Sequence, residues 1–173
     1  DLSSLVEAIT DVMSGNEVKL STEDINKALE SFGSKIQEQQ ANAMNEKSDT
    51  NLAKGQKFLD DNGKKDGVVV TDSGLQYEVL EQGDGEMPTK ESTVRVHYAG
   101  TTIEGVEFDS SYNRGEPAQF PVGGVIPGWT EALQLMNVGS KFRLTIPSHI
   151  AYGAQGAGQS IGPNETLCFD VEL

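Results

Sequence analysis

Apolar residues recur with two different periods along the chain, and the period changes near residue 66. Before that point they lie three or four positions apart, in residues 2–14 and again at Leu29, Phe32 and Ile36. This spacing is typical of amphipathic helices. After it, apolar and polar positions alternate, as in residues 93–98 and 166–173, which is typical of β-strands. The pattern predicts a helical first part and a mainly β second part.

A single long helix is predicted between residue 22 and about residue 62. The segment contains no proline and consists mostly of good helix formers. A hydroxyl at Thr22 followed by two acidic residues suits a helix start, and Asn62-Gly63 suits a helix end. The predicted helix has about 40 residues and is about 60 Å long. Residues 45–51 contain no apolar side chain. The pattern therefore leaves open a loop at this point or a solvated helix that bridges two domains.

The second part predicts an α+β domain, in which a curved antiparallel sheet wraps around one short helix. The single helix is expected at residues 127–136, where a proline stands in the first turn. The predicted strands are residues 68–71, 75–80, 93–98, 107–108, 141–146 and 166–173.

Three regions follow from these patterns. Residues 1–21 are interpreted as an N-terminal helical dimerisation region, residues 22–65 as a connecting helix and residues 66–173 as the α+β domain. The two apolar stripes of the helical part are too small for an independent core, so oligomerisation would supply the missing buried surface.

Charge and residue content exclude several functions. The net charge is −14, with 12 acidic and 8 basic residues in positions 1–65 and 15 and 5 in positions 66–173. Both parts would be repelled by phosphate backbones, which argues against a nucleic acid partner. The negative charge serves solubility or, alternatively, favours basic client segments. No run approaches the ~18 apolar residues of a membrane span. The sequence starts at Asp1, so any targeting segment is expected to have been removed by processing or truncation.

Neither a metal site nor a nucleophile is predicted. His97 and His149 are far apart and lack neighbouring carboxylates at metal-binding spacing, and Cys168 is the only cysteine. No cofactor is expected. The candidate functional residues are instead aromatic and aliphatic, with one ionisable carboxylate among them. They are Tyr98, Phe108, Asp109, Phe120, Val125, Ile126, Trp129, Tyr152, Ile161 and Phe169. Such a set predicts an apolar pocket that acts by shape and desolvation, although residues such as Trp129 and Phe120 would be plain core in most proteins.

Four stretches of the second part carry a resemblance. They are VRVHYAGTTIEGVEFDSS (94–111), RGEPAQFPVGGVIPGW (114–129), LTIPSHIAYGAQGAG (144–158) and IGPNETLCFDVEL (161–173). In this order they resemble the FKBP family, the macrolide-binding peptidyl-prolyl cis-trans isomerases. The resemblance covers roughly residues 66–173. It implies an enzyme that accelerates the isomerisation of X-Pro bonds in unfolded or partly folded polypeptides and that binds macrolides such as rapamycin or tacrolimus.

The resemblance also implies roles for single residues. Trp129 would be the floor under the prolyl ring, Arg114 would pair with Asp109, and Tyr98, Asp109 and Tyr152 would form the catalytic set. The substrate-binding and macrolide-binding residues would be Phe108, Arg114, Phe120, Val125, Ile126, Trp129, Ile161 and Phe169. Ala118, Ser160 and Gly162 depart from the most common family pattern, so macrolide affinity is less firmly implied than the isomerase activity.

Residues 45–59 and 67–77 resemble the macrophage infectivity potentiator (Mip) and FkpA group of the same family. This implies a homodimer formed through N-terminal helices, chaperone activity in the helical arms, and a periplasmic or outer-membrane location in a Gram-negative bacterium. A cytoplasmic location is the alternative. The first part of the group's dimerisation region is expected to be absent from this chain. Two other functions remain open: a holdase chaperone with a secondary isomerase pocket, and a scaffold or adhesion module.

Overall fold

A computed structural model describes Val6, Thr10, Asp11, Met13, Ser14 and residues 22–173, without the side chains of Thr22 and Ile25. The chain divides into two compact units, Asp1–Asn45 and Glu46–Leu173, called here the first and second unit. The stripe predicted within residues 2–14 falls almost wholly outside the described residues. The three-region division made from the sequence stays a prediction.

The long helix is present as α1, Thr22–Asn62, with 41 residues. The prediction of one helix of about 40 residues is confirmed, and the alternative of a loop at residues 45–51 is wrong. In the first unit its apolar stripe remains partly exposed: the exposed fractions are 51% for Leu29, 43% for Phe32 and 37% for Ile36. Among the described residues, no helix has the length and apolar content needed to cross a membrane.

The second unit contains seven antiparallel strands and two short α-helices, which confirms the predicted α+β class. Only one of these helices, the one that begins at Pro127, was predicted, and the four-residue helix Ser111–Arg114 is additional. The elements are β1 (Val68–Val70), β2 (Gln76–Glu81), β3 (Thr93–Thr102), β4 (Glu107–Ser110), α2 (Ser111–Arg114), β5 (Ala118–Pro121), α3 (Pro127–Leu133), β6 (Lys141–Ile146) and β7 (Leu167–Glu172). The order in the sheet is β1-β2-β6-β7-β3-β4, and β5 pairs with β3.

Strand β3 organises the sheet because it has partners on both edges. Along one edge it pairs with β7 from His97 to Thr102. Along the other it pairs first with β5, from Thr93 to Val96, and then with β4, from Ala99 to Thr101. The pattern did not predict β5, whose four residues include a proline that is unfavourable inside a strand.

The core lies between the sheet and α3. Helix α3 buries Trp129, Ala132 and Leu133, together with apolar residues of β3, β6 and β7. A Cβ on Gly128 would lie 2.5 Å from the Ile146 side chain, so glycine lets α3 approach β6 closely. The helix ends at Leu133, three residues before the predicted end. The next amides bond to carbonyls three residues back, as Leu135 does to Ala132 at 2.9 Å, which tightens the final turn.

The last turns of α1 belong to the second unit and pack on its sheet domain. Asn62 Nδ2 donates to Gln76 Oε1 at 2.9 Å, and Asn51 Nδ2 donates to the Pro163 carbonyl at 2.8 Å. A Cβ on Gly55 would lie 2.3 Å from Thr166 Oγ1. Glycine at this position therefore permits close packing of the helix on Thr166.

Candidate active site

A cavity of about 340 Å³ opens between α3, β3, β4 and the segment after β6. Its lining is formed by Tyr98, Phe108, Asp109, Phe120, Gly124, Val125, Ile126, Trp129, Tyr152 and Phe169. All but one of these belong to the set picked out in the sequence, and Gly124 is the addition. Ile161 lies instead in the core, where it is 7% exposed. The departures from the family pattern at Ala118, Ser160 and Gly162 fall outside this lining.

Trp129 lines the cavity and is almost wholly buried. Its ring is perpendicular to three neighbouring rings, with centroid distances of 5.2 Å to Tyr98, 5.8 Å to Phe120 and 5.4 Å to Phe169. The side chain is only 5% exposed, and within the described part of the chain Nε1 has no hydrogen-bond partner. Edge-to-face contacts of this kind fix ring orientation. Trp129 is therefore both a buried core residue and part of the cavity lining.

Gly100 makes room for two aromatic rings of the cavity wall, those of Phe108 and Phe169. It pairs with Asp109 on β4 and with Phe169 on β7. A Cβ at this position would lie 2.6 Å from Phe169 and 2.8 Å from Phe108, whose rings make a perpendicular contact at 5.5 Å. The sequence analysis missed this residue. An isolated glycine inside an alternating strand was the available signal, because it marks a close approach by another group.

One corner of the cavity is polar. Tyr98 Oη donates to Asp109 Oδ2 at 2.5 Å, and Arg114 Nη1 donates to Asp109 Oδ1 at 2.5 Å. Arg114 Nη2 also donates to Tyr98 Oη at 2.9 Å. The helix α2 brings Arg114 back over Asp109, and it ends at Gly115, whose φ of 76° is left-handed. The three side chains therefore form a closed hydrogen-bonded triangle at the cavity wall.

The charges in this corner are fixed at neutral pH. Burial favours a higher pKa for Asp109, but the hydrogen bonds from Tyr98 and Arg114 outweigh it and hold the pKa below its usual value. Burial and the neighbouring Asp109 raise the pKa of Tyr98. Burial and the Asp109 charge likewise raise the pKa of Tyr152. The carboxylate stays ionised and both phenols stay protonated, so none of the three is poised for proton transfer near pH 7.

Tyr152 also lines the cavity and is 39% exposed. It follows the short 3-10 helix Ser148–Ile150 and precedes a second one, Gly153–Gln155. The Gly153 carbonyl accepts a hydrogen bond from the Asn164 amide at 2.8 Å, and Ala157 and Ile161 form a two-way backbone bridge. Ile161 thus contributes by closing the loop beside the cavity rather than by lining it.

Two family models match this chain. Residues 84–173 match the model described as FKBP-type peptidyl-prolyl cis-trans isomerase, and residues 1–79 match the domain amino terminal to it. The chain belongs to the FKBP-type peptidyl-prolyl cis-trans isomerases. The isomerase model includes every residue that lines the cavity. The family resemblance stated from the sequence is confirmed, and with it the assignment as a rotamase.

The chain is similar to proteins of the Mip and FkpA group. The chain is 48% identical over 170 residues to the FKBP-type 22 kDa peptidyl-prolyl cis-trans isomerase of Escherichia coli K12, covering 98% of this chain and 81% of that protein. It is 48% identical to FkpA of Aeromonas hydrophila, covering 100% of this chain and 64% of the relative's length. It is 44% identical to the outer membrane protein MIP of Legionella longbeachae, covering 98% and 72%.

A solved structure supports the fold. The crystal structure of FkpA from Escherichia coli is similar with a TM-score of 0.88 and 42% identity, and the match covers all of this chain and 80% of that one. The isomerase of Pseudomonas syringae gives a TM-score of 0.68 at 39% identity, over 73% of this chain and 92% of that one.

Proposed function

We propose that the cavity around Trp129 isomerises X-Pro bonds by desolvation and twisting, without a covalent intermediate. One observation carries this mechanism. The cavity wall is aromatic and aliphatic, and its single carboxylate is held ionised by Tyr98 and Arg114. A pocket of this kind has no nucleophile or proton acceptor suited to pH 7, but it is well suited to a reaction in which no bond is made or broken.

The chemistry of the bond explains why such a pocket is sufficient. The peptide C–N bond has partial double-bond character and a rotational barrier of about 18–20 kcal/mol. Twisting it removes the resonance, so the carbonyl oxygen loses negative charge. An apolar wall that strips water from this carbonyl therefore disfavours the planar form relative to the twisted one. Contacts that hold the twisted form lower the barrier further.

The residues take distinct roles in this proposal. The prolyl ring lies on Trp129, between Phe108 and Phe169. The Tyr98–Asp109–Arg114 triangle orients the substrate and places a fixed negative charge beside the twisting amide. Tyr152 supplies a protonated phenol at the open side, where it is available to donate a hydrogen bond. Macrolides that mimic the prolyl ring are expected to occupy the same cavity.

The proposed substrates are unfolded or partly folded polypeptides. Uncatalysed X-Pro isomerisation takes tens to hundreds of seconds and can limit folding. The similarity to a protein named as an outer membrane protein favours work in the cell envelope of a Gram-negative bacterium.

A second activity is favoured by the first unit. We propose that the partly exposed side chains of Leu29, Phe32 and Ile36 form a homodimer contact through the N-terminal helices, and that the dimer acts as a holdase for clients. Apolar residues at helical spacing on one exposed face are a recurrent dimerisation pattern.

Protease-coupled isomerisation of an X-Pro tetrapeptide tests the enzymatic proposal. We expect acceleration by the wild type, inhibition by rapamycin or tacrolimus, and a loss of kcat/KM of about tenfold or more in Asp109→Ala, because the fixed charge is removed. Glu107→Ala is the matched control, since it removes a carboxylate of the same strand that does not line the cavity. Equal activity of the two variants would refute the role of Asp109.

A further inference from the structure

The sheet has a gap directly behind the polar corner of the cavity. On one edge of β3, pairing with β5 ends at Val96 and pairing with β4 starts at Ala99. Between them, Tyr98 directs its backbone amide and carbonyl toward this edge, where no strand lies opposite. Unpaired backbone groups in a buried position are costly. Tyr98 is 5% exposed, so these two groups need a partner other than water.

The hydroxyl of Ser111 fills the gap. The Tyr98 amide donates to Ser111 Oγ at 2.7 Å, and Ser111 Oγ donates to the Tyr98 carbonyl at 3.2 Å. Ser111 is completely buried and is the first residue of α2. A single hydroxyl thus replaces the two backbone hydrogen bonds of a missing strand. It joins the residue that carries the phenol to the short helix that carries Arg114.

A third contact determines how this hydroxyl is used. His97 Nδ1 lies 3.1 Å from Ser111 Oγ. The hydroxyl has one hydrogen and two acceptor lone pairs. Its hydrogen goes to the Tyr98 carbonyl and one lone pair receives the Tyr98 amide, which leaves one lone pair for His97. With both bonds to Tyr98 made, the contact with His97 is a hydrogen bond only when Nδ1 of His97 carries a proton and donates it.

The plane of the imidazole is held by a neighbouring ring. Its ring stacks on Tyr112 with a centroid distance of 4.8 Å and an interplanar angle of 14°. Tyr112 Oη in turn donates to Glu172 Oε2 at 3.1 Å. Burial and the Glu172 contact raise the pKa of Tyr112 to about 12, so its phenol remains a donor. The stack thereby fixes the plane of the imidazole, and the hydrogen bond between Nδ1 and Ser111 Oγ selects which edge of the ring faces Ser111.

We propose that Ser111 is a positioning residue for catalysis, which fixes Tyr98 relative to Asp109 and Arg114 through this backbone bridge and which selects the Nδ1-protonated form of His97. The inference rests on the proposed role of the Tyr98–Asp109–Arg114 triangle. Ser111 itself lies outside the cavity lining, so its effect reaches the substrate only through the placement of Tyr98.

The neighbouring serine provides a matched control. Ser110 is also buried, at 5% exposure, but its side chain makes no capping hydrogen bond. We expect Ser111→Ala to lower kcat for the X-Pro tetrapeptide about tenfold with KM changed less than about twofold, because a small displacement of a catalytic group costs rate more than binding. Ser110→Ala should stay within about twofold of the wild type in both constants.

A spectroscopic measurement on the wild type tests the same inference without any variant. Long-range ¹H–¹⁵N correlation spectra, recorded at a pH high enough to keep the ring neutral, should show His97 protonated on Nδ1. Ser110→Ala should keep this tautomer, and Ser111→Ala should lose the preference. His97→Phe preserves the stack on Tyr112 and leaves the Ser111 bridge to Tyr98 in place, so its kcat should fall less than that of Ser111→Ala.

The outcomes separate the two proposals. If Tyr98→Phe and Asp109→Ala retain full activity, the proposed catalytic site is wrong. If those two variants lose activity while Ser111→Ala matches Ser110→Ala, the site stands and the positioning role is overturned. An Nε2-protonated His97 in the neutral wild type would overturn the hydrogen-bond assignment even if Ser111→Ala does not fold.

Discussion

The two halves of α1 show how the same helix is stabilised in two different ways. In the first unit, Leu29, Phe32 and Ile36 stay 37–51% exposed. In the second unit, Asn51 and Asn62 donate hydrogen bonds to the sheet domain. The second unit therefore has a buried core and helix contacts of its own, whereas no described residue of the first unit belongs to that core. This difference supports the proposals that catalysis needs only the second unit and that the stripe contacts a partner.

The largest expected effect is on the core of the second unit. Leu133 is 1% exposed beneath the sheet, so Leu133→Ala should lower the free energy of unfolding by about 3 kcal/mol through lost burial and a residual cavity. Urea denaturation followed by Trp129 fluorescence measures this change, because Trp129 lies on the same helix.

Leu135 is the matched control for this substitution. It lies two residues further along and is 39% exposed. Leu135→Ala should cost less than about 1 kcal/mol, since little apolar surface is lost. Equal losses in the two variants would mean that α3 does not anchor the core as described.

The second prediction concerns the exposed stripe. Replacing Leu29, Phe32 and Ile36 together with serine should weaken self-association by about a hundredfold or more, because about 1 kcal/mol or more of apolar burial is lost at each position in the dimer. Sedimentation velocity over a dilution series measures the change. The kcat/KM for the X-Pro tetrapeptide should stay within about twofold of the wild type, since the cavity lies entirely in the second unit.

The control for the stripe uses the opposite face of α1. At 100° per residue, Lys27, Ser34 and Glu38 lie away from the stripe, and Ser34 Oγ donates to the Glu30 carbonyl of the same helix. Changing these three residues to alanine should leave the association unchanged. A wild type that is monomeric at all concentrations would refute the dimer proposal, and loss of client protection only in the stripe variant would support the holdase proposal.

Sequence reasoning located most of the cavity because its residues are of rare types. Trp129, Tyr98 and Phe169 stand at fixed positions within family motifs, and the structure brings them around one space. The long helix was predictable from the absence of proline and from good helix formers. Both conclusions depend on residue identity along the chain, which the sequence displays directly.

The features that were not predicted depend on contacts between residues that come together only in the folded protein. Gly100 is required by two rings that are 8 and 69 positions away, and Ser111 is required by a gap between strands that exists only in the assembled sheet. Strand β5 was missed because its proline opposes strand propensity, yet Pro121 stands at the strand's last position. Ile161 was placed in the pocket by its motif, whereas tertiary packing puts it in the core.

The third prediction compares two glycines of α1 directly. Nothing in the described part of the chain lies within 4 Å of a Cβ built on Gly33, so Gly33→Ala should stabilise the first unit's helix by about 1 kcal/mol. A Cβ on Gly55 would meet Thr166 Oγ1 at 2.3 Å. Gly55→Ala should therefore destabilise the second unit by about 1–3 kcal/mol, because overpacking outweighs the gain in helix propensity.

Urea denaturation followed by circular dichroism measures the change in the free energy of unfolding of both variants, and the two changes should have opposite signs. Thr166→Ser in the Gly55→Ala background keeps the hydroxyl that would clash but frees its rotation, so it should recover part of the loss. Stabilisation by both alanines would show that the end of α1 is not packed on the sheet domain and would remove the contrast between the two halves of the helix.

The smallest expected effect concerns the pH dependence of catalysis. It should depend only on ionisable groups of the second unit, above all on Asp109. The hydrogen bonds from Tyr98 and Arg114 outweigh burial and lower the pKa of Asp109. A lowered pKa in the folded state adds stability above the usual carboxyl pKa of about 4, and this stability is lost as the pH falls through the folded value. The Asp109 side chain is 45% exposed, so the effect on stability is small.

The activity should fall over the same pH range in which the Asp109 carboxylate is protonated. The kcat/KM should be flat between about pH 5 and pH 8, since the carboxylate is ionised and the two phenols are protonated throughout, and it should fall only below about pH 4. Exchange NMR of a cis-trans X-Pro peptide measures this without a coupling protease. Asp109→Asn should have lower activity with no acidic decline. An inflection between pH 5 and pH 8 in the wild type would reveal a titrating group in the reaction and would contradict catalysis by desolvation around a permanently charged corner.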